Sequence, residues 1–311
     1  MKLLSLLAAV TALVAGAARA GELHVFTSDA QNFLTHSVWY DDGAEVTVVD
    51  AQFTVAAAEA LLAEIEAATD SPVTRVIVTH PNADKFNGLG VFTAAGATAI
   101  ASEATASAMP AVDAGTRALW IDVLGAFTPQ TYAPFTPVTE TYAGEETITL
   151  ASGETITLIQ LDQPGVSSDQ TVVRIDATGD LIVGDLFAGN THAWLAGGTP
   201  EGATIAEWKA GLAQLPALGR GLVYGGRGDA LPVGEAVARQ TAYLDAADRI
   251  AGEYVASLGD RVSELADPAT AQAHAAAVQA LLAEEFPDHA QPELVGFSAG
   301  GLLAAKVAEL G

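Results

Sequence analysis

The feature that most restricts the fold of this chain is the run Val76-Ile77-Val78-Thr79-His80-Pro81-Asn82-Ala83-Asp84-Lys85-Phe86-Asn87-Gly88-Leu89. Its β-branched, uninterrupted apolar start reads as a buried strand that ends in a polar, glycine-terminated loop. A strand tip is rigid, and alternate residues project to one side. His80, Asn82 and Asp84 therefore converge on one point if the extended form persists beyond the strand.

The first twenty residues have a different character. One Lys near the front, an apolar run from Leu3 to about Ala18, and Ala18-Arg19-Ala20 before Gly21 read as a secretory signal peptide with a small-x-small cleavage site. The apolar run is short for a membrane span. No later stretch is long and apolar enough to cross a bilayer, so a secreted or periplasmic protein with no membrane attachment after cleavage is expected. The absence of Cys fits an exported chain without disulfides, and it excludes thiolate metal sites and Cys nucleophiles. A formal charge of −25 repels nucleic acid and anionic lipid head groups. It reads as a solubility adaptation, and nucleic acid is excluded as a partner. With 50% hydrophobic and only 16% charged residues, the chain has the means for a substantial core.

Leu23 to Thr27 and Asn32 to Tyr40 read as strands, and Asp41-Asp42-Gly43 as the hairpin turn before the strand Glu45 to Asp50. From about Thr54, Ala58, Leu61, Leu62 and Ile65 keep a helical period up to the breaker Asp70-Ser71-Pro72. Past the central loop, residues 90–109 read as helix, short strand Ala97 to Ala101, and helix. The Pro- and Thr-rich segment Thr128 to Tyr142 reads as an irregular loop. Two Glu-Thr-Ile-Thr-Leu copies, starting at Glu146 and Glu154 and split by Ala151-Ser152-Gly153, read as facing hairpin arms. Gln170 to Ile175 and Asp180 to Asp185 follow as strands. Periodicity alone thus specifies a mixed α and β protein.

The loop Thr79-His80-Pro81-Asn82-Ala83-Asp84-Lys85-Phe86-Asn87-Gly88 resembles the metal-binding motif Thr-His-x-His-x-Asp-His-x-x-Gly of the metallo-β-lactamase superfamily. Val48-Val49-Asp50-Ala51-Gln52-Phe53-Thr54 before a helix resembles a second signature of that family, in which Asp50 is a supporting residue. Asp185, ending the strand Val183-Gly184-Asp185, matches the Asp that bridges two metals. Gly225-Gly226-Arg227-Gly228 stands where the family has Pro-Gly-His-Gly, and Gly165-Val166-Ser167 where it has Gly-His-Thr. The resemblance spans roughly Asn32 to Gly228. It implies an α/β (α+β) fold, a four-layer αββα sandwich built from two halves of strands followed by helices.

Of the seven ligand positions that the resemblance implies, His80, Asp84 and Asp185 are kept. Asn82, Lys85, Val166 and Arg227 replace the other four. Three surviving ligands can hold at most one weakly bound divalent metal such as zinc. Lys85 and Arg227 oppose even that, since two fixed charges repel a cation by on the order of 4 kcal/mol each at 4 Å. They can instead neutralise Asp84 and Asp185 directly, in an internal salt-bridge network that replaces the metal pair. His192, leaving the Asp185 strand in Asn190-Thr191-His192-Ala193-Trp194, is a candidate cleft contact or fourth ligand.

The last eighty residues read as helices over Gly234 to Ser257, Pro268 to Glu285 and Ala299 to Leu310. The expected organisation is a leader over residues 1–20, a metallo-β-lactamase-like domain over 21–232 and a helical appendage over 233–311. Gly296-Phe297-Ser298-Ala299-Gly300 matches the nucleophile elbow Gly-x-Ser-x-Gly, with Pro292 to Val295 as its strand. No His follows it to complete a triad, so Ser298 is read as the cap of the final helix. Two functions remain open. One is a non-catalytic or vestigial hydrolase-like protein that keeps the family cleft for a small-molecule ligand. The other is a mononuclear-metal or metal-independent hydrolase of small esters or lactones, with Asp84 or His80 orienting water. Neither substrate nor oligomeric state is encoded in any motif.

Overall fold

A computed structural model describes residues 21–195 and 204–310; the expected leader lies outside the described residues. The N-terminal sheet runs in chain order through β1 (Glu22–Thr27), β2 (His36–Asp41), β3 (Val46–Val49), β4 (Val73–Ile77), β5 (Thr98–Ser102) and β6 (Glu140–Tyr142). Its first three strands are antiparallel and the rest join in parallel. The parallel strands need crossovers. These are supplied by α1 (Val55–Ala68), by α2 (Ala83–Phe86) with α3 (Leu89–Ala94), and by α4 (Glu103–Arg117) with a π-helical turn, Ala118–Val123.

The second sheet comprises β7 (Glu145–Thr149), β8 (Thr155–Gln160), β9 (Thr171–Ile175), β10 (Asp180–Gly184), β11 (Leu222–Gly225) and β12 (Leu231–Pro232), again in chain order. The two Glu-Thr-Ile-Thr-Leu copies pair across their hairpin with Thr147 opposite Thr157 and Ile148 opposite Ile156. The parallel step from β10 to β11 is bridged by α5 (Ile205–Leu212) and α6 (Leu215–Leu218). The chain ends in α7 (Val233–Leu258), α8 (Ala271–Glu285) and α9 (Glu293–Leu310).

Three apolar clusters define four layers. Val38, Val49, Ile77 and Ile100 of the first sheet meet Ile156, Leu158, Val173 and Ile182 of the second. On the outer side of the first sheet, Val48, Val76 and Ala99 pack on Leu61, Ile65, Leu89 and Phe92. On the outer side of the second, Val172, Leu181 and Val223 pack on Leu212, Leu244, Ala247, Val278 and Leu302. The architecture is therefore an αββα sandwich with a C-terminal helical bundle, and α7 serves both as outer layer and as the seat of α8 and α9. Among the described residues no helix is long and apolar enough to cross a membrane.

Three local expectations are corrected. The segment Thr128 to Tyr142 is not loop throughout, because Glu140–Tyr142 forms β6 in parallel with Ile100 to Ser102 of β5. Asn32 to Thr35 do not extend β2: Phe33 and Leu34 adopt φ of 62° and 48°, a left-handed turn that ends the short 3-10 helix Ala30–Asn32. Pro292 to Val295 is not a strand but the start of α9, and Ser298 lies inside that helix rather than capping it. Its Oγ donates to the Leu294 carbonyl at 2.7 Å and accepts from the Leu195 amide at 2.8 Å. A nucleophile elbow requires a strained strand-to-helix turn that exposes the hydroxyl. Here the hydroxyl is buried and committed.

Candidate functional site

The ends of β3, β4, β10 and β11 bring the candidate residues together. β4 ends at Ile77 and the chain already bends at Thr79 and His80, so strand alternation does not carry on to Asn82 and Asp84. Asn82 then opens α2, so that Asp84 and the adjacent Lys85 are turned inward by one helical turn. From the second sheet comes Asp185, directly after β10. Gly184 makes its approach possible: its φ is 51°, and a Cβ there would overlap Thr79 Oγ1 and crowd His80 Nδ1. Arg227 arrives from the turn after β11, across Gly226, where a Cβ would overlap Asp185 Oδ1.

Lys85 is fully buried, with Nζ 2.8 Å from Asp185 Oδ1 and 3.0 Å from Asp84 Oδ2. Arg227 spans the same two carboxylates through Nη1 to Asp185 Oδ1 at 2.8 Å and Nη2 to Asp84 Oδ2 at 2.9 Å. Its remaining bonds run from Nε to the Phe33 carbonyl at 3.0 Å and from Nη2 to Thr35 Oγ1 at 3.1 Å. Two acids and two bases thus close a ring of four ion pairs. Burial alone would neutralise these carboxylates, but the neighbouring cations outweigh it. Lys85 and Arg227 hold Asp84 below the usual range, and Arg227 and Lys85 hold Asp185 well below it. In the same way burial works against the charge on Lys85, while Asp185 and Asp84 raise its pKa.

Beneath the ring lies a second layer. Asp50, at φ 67°, accepts the Thr79 amide and hydroxyl at 2.9 Å. Thr79 Oγ1 also contacts His80 Nδ1 at 2.9 Å, and His80 Nε2 stands 3.7 Å from Asp185 Oδ2. Burial pushes Asp50 up to about 6, against the pull of Lys85, His80 and Thr79. His80 itself is fully buried, so it supports Asp185 from behind and meets no solvent. His36, whose amide donates to the Gly226 carbonyl, is driven down to about 4 by burial and by the charges of Lys85 and Arg227.

In front of the ring is a cavity of about 150 Å³. Asp84, Asp185, Arg227 and Asn82 form its floor, while Phe33, Phe53, Trp120 and Trp194 stand in its wall. Of the sequence candidates, His80, Asp84, Lys85, Asp185 and Arg227 meet in one cluster, and Asn82 borders it from the cavity side. Val166 lies in the apolar core behind the second sheet. His192 is placed away from the cavity. It is fully buried, contacts the Tyr243 hydroxyl at 3.0 Å and packs its ring on His289, so it joins the α8–α9 connection to the sandwich. Of the described residues of its loop, Trp194 reaches the cavity. Thr35, Phe33 and the aromatic wall carry no motif in sequence. Only the turn at Phe33 and Leu34 brings the first two to Arg227.

These donors do not fit the metal pair that the resemblance implies. Asp185 Oδ1 already meets Lys85 and Arg227, and Asp84 Oδ2 meets Lys85, Arg227 and Thr35. A metal at that point would stand against two fixed cations. Among the described residues no group of three or more His, Asp or Glu is placed to hold a metal ion.

Comparison with known proteins bears on the family and the fold. The family model of the metallo-beta-lactamase superfamily matches residues 31–267. No curated protein sequence matches the chain. Among solved structures, a metallo-beta-lactamase from Pontibacter korlensis aligns with a TM-score of 0.56 at 17% identity, covering 73% of this chain and 95% of that one. A metallo-beta-lactamase from Hirschia baltica aligns with a TM-score of 0.53 at 17% identity, covering 72% of this chain and 93% of that one. Likeness at such identities extends to the fold alone.

Proposed function

The chain belongs to the metallo-beta-lactamase superfamily, and from that premise we propose that it is a secreted or periplasmic, non-catalytic member whose family cleft serves as a small-molecule binding site. The observation that carries this reading is the seating of Lys85 Nζ and the Arg227 guanidinium between Asp84 and Asp185. A metal-bound or carboxylate-activated water needs an open ligand position or an accessible base poised near neutral pH. Asp84 and Asp185 are instead held ionised and hydrogen-bonded, which makes them weak bases. His80 and Asp50 are buried beyond reach of a substrate. The cavity, by contrast, keeps an apolar wall and a polar floor, the usual make-up of a ligand site.

Metal analysis and turnover assays test the proposal together. Protein purified without added metal is expected to carry well under one equivalent of zinc, manganese or iron, and to leave simple esters and lactones untouched. Stoichiometric metal in the cleft, or hydrolysis that disappears in Asp84→Asn, overturns it in favour of a hydrolase.

A further inference from the structure

We infer that the cleft selects a small arylalkyl amine, its ring against the aromatic wall and its ammonium on Asp84 Oδ1 and the Asn82 side chain. This deepens the proposed binding function and rests on it.

Size limits the ligand first. A cavity of about 150 Å³ matches one that admits a single benzene-sized ring. The wall is built for such a ring. Phe33, Phe53 and Trp120 stand with their centroids 5.5–5.9 Å apart in tilted contact. Trp194 closes another side, backed by Phe297 of α9, which stacks on it at 6.3 Å and is half exposed. The C-terminal bundle thus completes the site, with Leu294 also in the lining.

The floor decides the head group. An anionic head finds little to hold it, because four of the five N–H groups of Arg227 are committed to Phe33, Thr35, Asp84 and Asp185, and Lys85 is fully buried. The cations are matched one for one by carboxylates, so no net positive charge faces the cavity. Acceptors, on the other hand, are in surplus. Asp84 turns Oδ2 to Lys85, Arg227 and Thr35, while among the described residues its Oδ1 takes no hydrogen bond. The Asn82 side chain, half-buried in the cavity lining, likewise forms none among them. A protonated amine satisfies both on the Asp84 oxygen that Lys85 and Arg227 leave free, beside a ring whose two acids and two cations sum to zero, and the faces of Trp120 and Trp194 add the attraction of an aromatic ring for a cation. The formal charge of −25 draws cations toward the molecule at long range.

A matched series tests the inference: 2-phenylethylamine, 2-phenylethanol and 3-phenylpropionate, titrated into the full chain by calorimetry and by the fluorescence of Trp120 and Trp194. The amine is expected to bind at least tenfold more tightly than the alcohol, and the carboxylate not to saturate. Asn82→Asp, which adds a negative charge without breaking a bond of the cluster, should raise amine affinity severalfold and leave the alcohol unchanged. Trp120→Ala should weaken amine and alcohol alike while circular dichroism stays native. Binding of the carboxylate as tightly as the amine overturns the amine assignment but leaves a binding cleft. An amine whose affinity is unmoved by Asn82→Asp overturns the placement of its head. Failure of all three probes to saturate overturns the inference and the binding function together.

Discussion

Replacing Lys85 by methionine removes one charge from the ring while nearly keeping the volume of a fully buried side chain. Each contact of Nζ, at 2.8 and 3.0 Å, is a gross attraction of about 6 kcal/mol at an effective dielectric of about 20. Most of that is offset by the desolvation of the ammonium and by its repulsion from Arg227. The net loss on breaking a buried pair is about 3–5 kcal/mol. Arg227 still bridges both carboxylates, which sets the expectation at about 3 kcal/mol, the lower end of that range. The loss must also depend on pH. In the wild type, Asp84 and Asp185 titrate below the usual range, so the stability they contribute is present above the ordinary carboxylate pKa and is lost only in stronger acid. In Lys85→Met two carboxylates share one cation, and the folded pKa of the pair rises. The deficit is then largest near neutral pH and shrinks as the pair takes up a proton. Urea unfolding in chelator-treated buffer at pH 7.5 and 5.0 reads both effects, with a midpoint lowered by roughly 1 M at the higher pH. Coincident unfolding curves for wild type and variant at pH 7.5, or a deficit that grows on acidification, refute the reasoning.

Gly226→Ala should destabilise by about 1–3 kcal/mol, because its Cβ would overlap the Asp185 carboxylate. Gly234→Ala, with no heavy atom in the way, should melt like the wild type. His36 and His192 are both held to about 4 by burial, helped by Lys85 and Arg227 for the first and by His289 for the second. The unfolded chain therefore binds more protons between pH 6.5 and 4, and stability should fall across that window as pH drops, partly offset by Asp50 with its pKa near 6. His192→Gln, which keeps a polar partner for Tyr243 and does not titrate, should flatten the slope measured by urea unfolding at stepped pH. Restoring two imidazoles in Lys85→His/Arg227→His exchanges both fixed cations for ligands beside Asp84 and Asp185. Zinc titration by calorimetry should then find a saturable site that the wild type lacks, and unchanged heats in the double variant would place the obstacle elsewhere.

Most strands and helices were legible in the chain because each rests on a local period or a local punctuation, whereas the layer order came only through the family resemblance. The buried run before His80, the facing Glu-Thr-Ile-Thr-Leu arms and the breaker at Asp70-Ser71-Pro72 are cases of the local kind. The reading of Asn82, Lys85, Val166 and Arg227 as replaced ligand positions rests on the same resemblance, since a motif keeps its register even where its residues change. Local signals misled where a neighbour hidden from the sequence made the decision. Asn32 to Thr35 have the composition of a strand, but the chain turns left-handed at Phe33 and Leu34, and the carbonyl and hydroxyl so turned bind Arg227. Ser298 carries a hydrolase signature in sequence, yet its hydroxyl serves the Leu195 amide across 103 positions. His192 and Trp194 are two residues apart, and only packing on Tyr243 and His289 sends the first into the interior while the second reaches the cavity.

Short windows of the chain carried the succession of strands and helices, and a few motifs resembling one family added the expectation of the sandwich. Tertiary structure alone decided that Lys85 and Arg227, 142 positions apart, close on the same two carboxylates, and that a helix from the last twenty residues helps wall the cleft. The physical reason is range. Periodicity and turn chemistry act between neighbours in sequence, whereas buried charges and cavity walls are set by whichever groups the packed layers bring within a few ångströms.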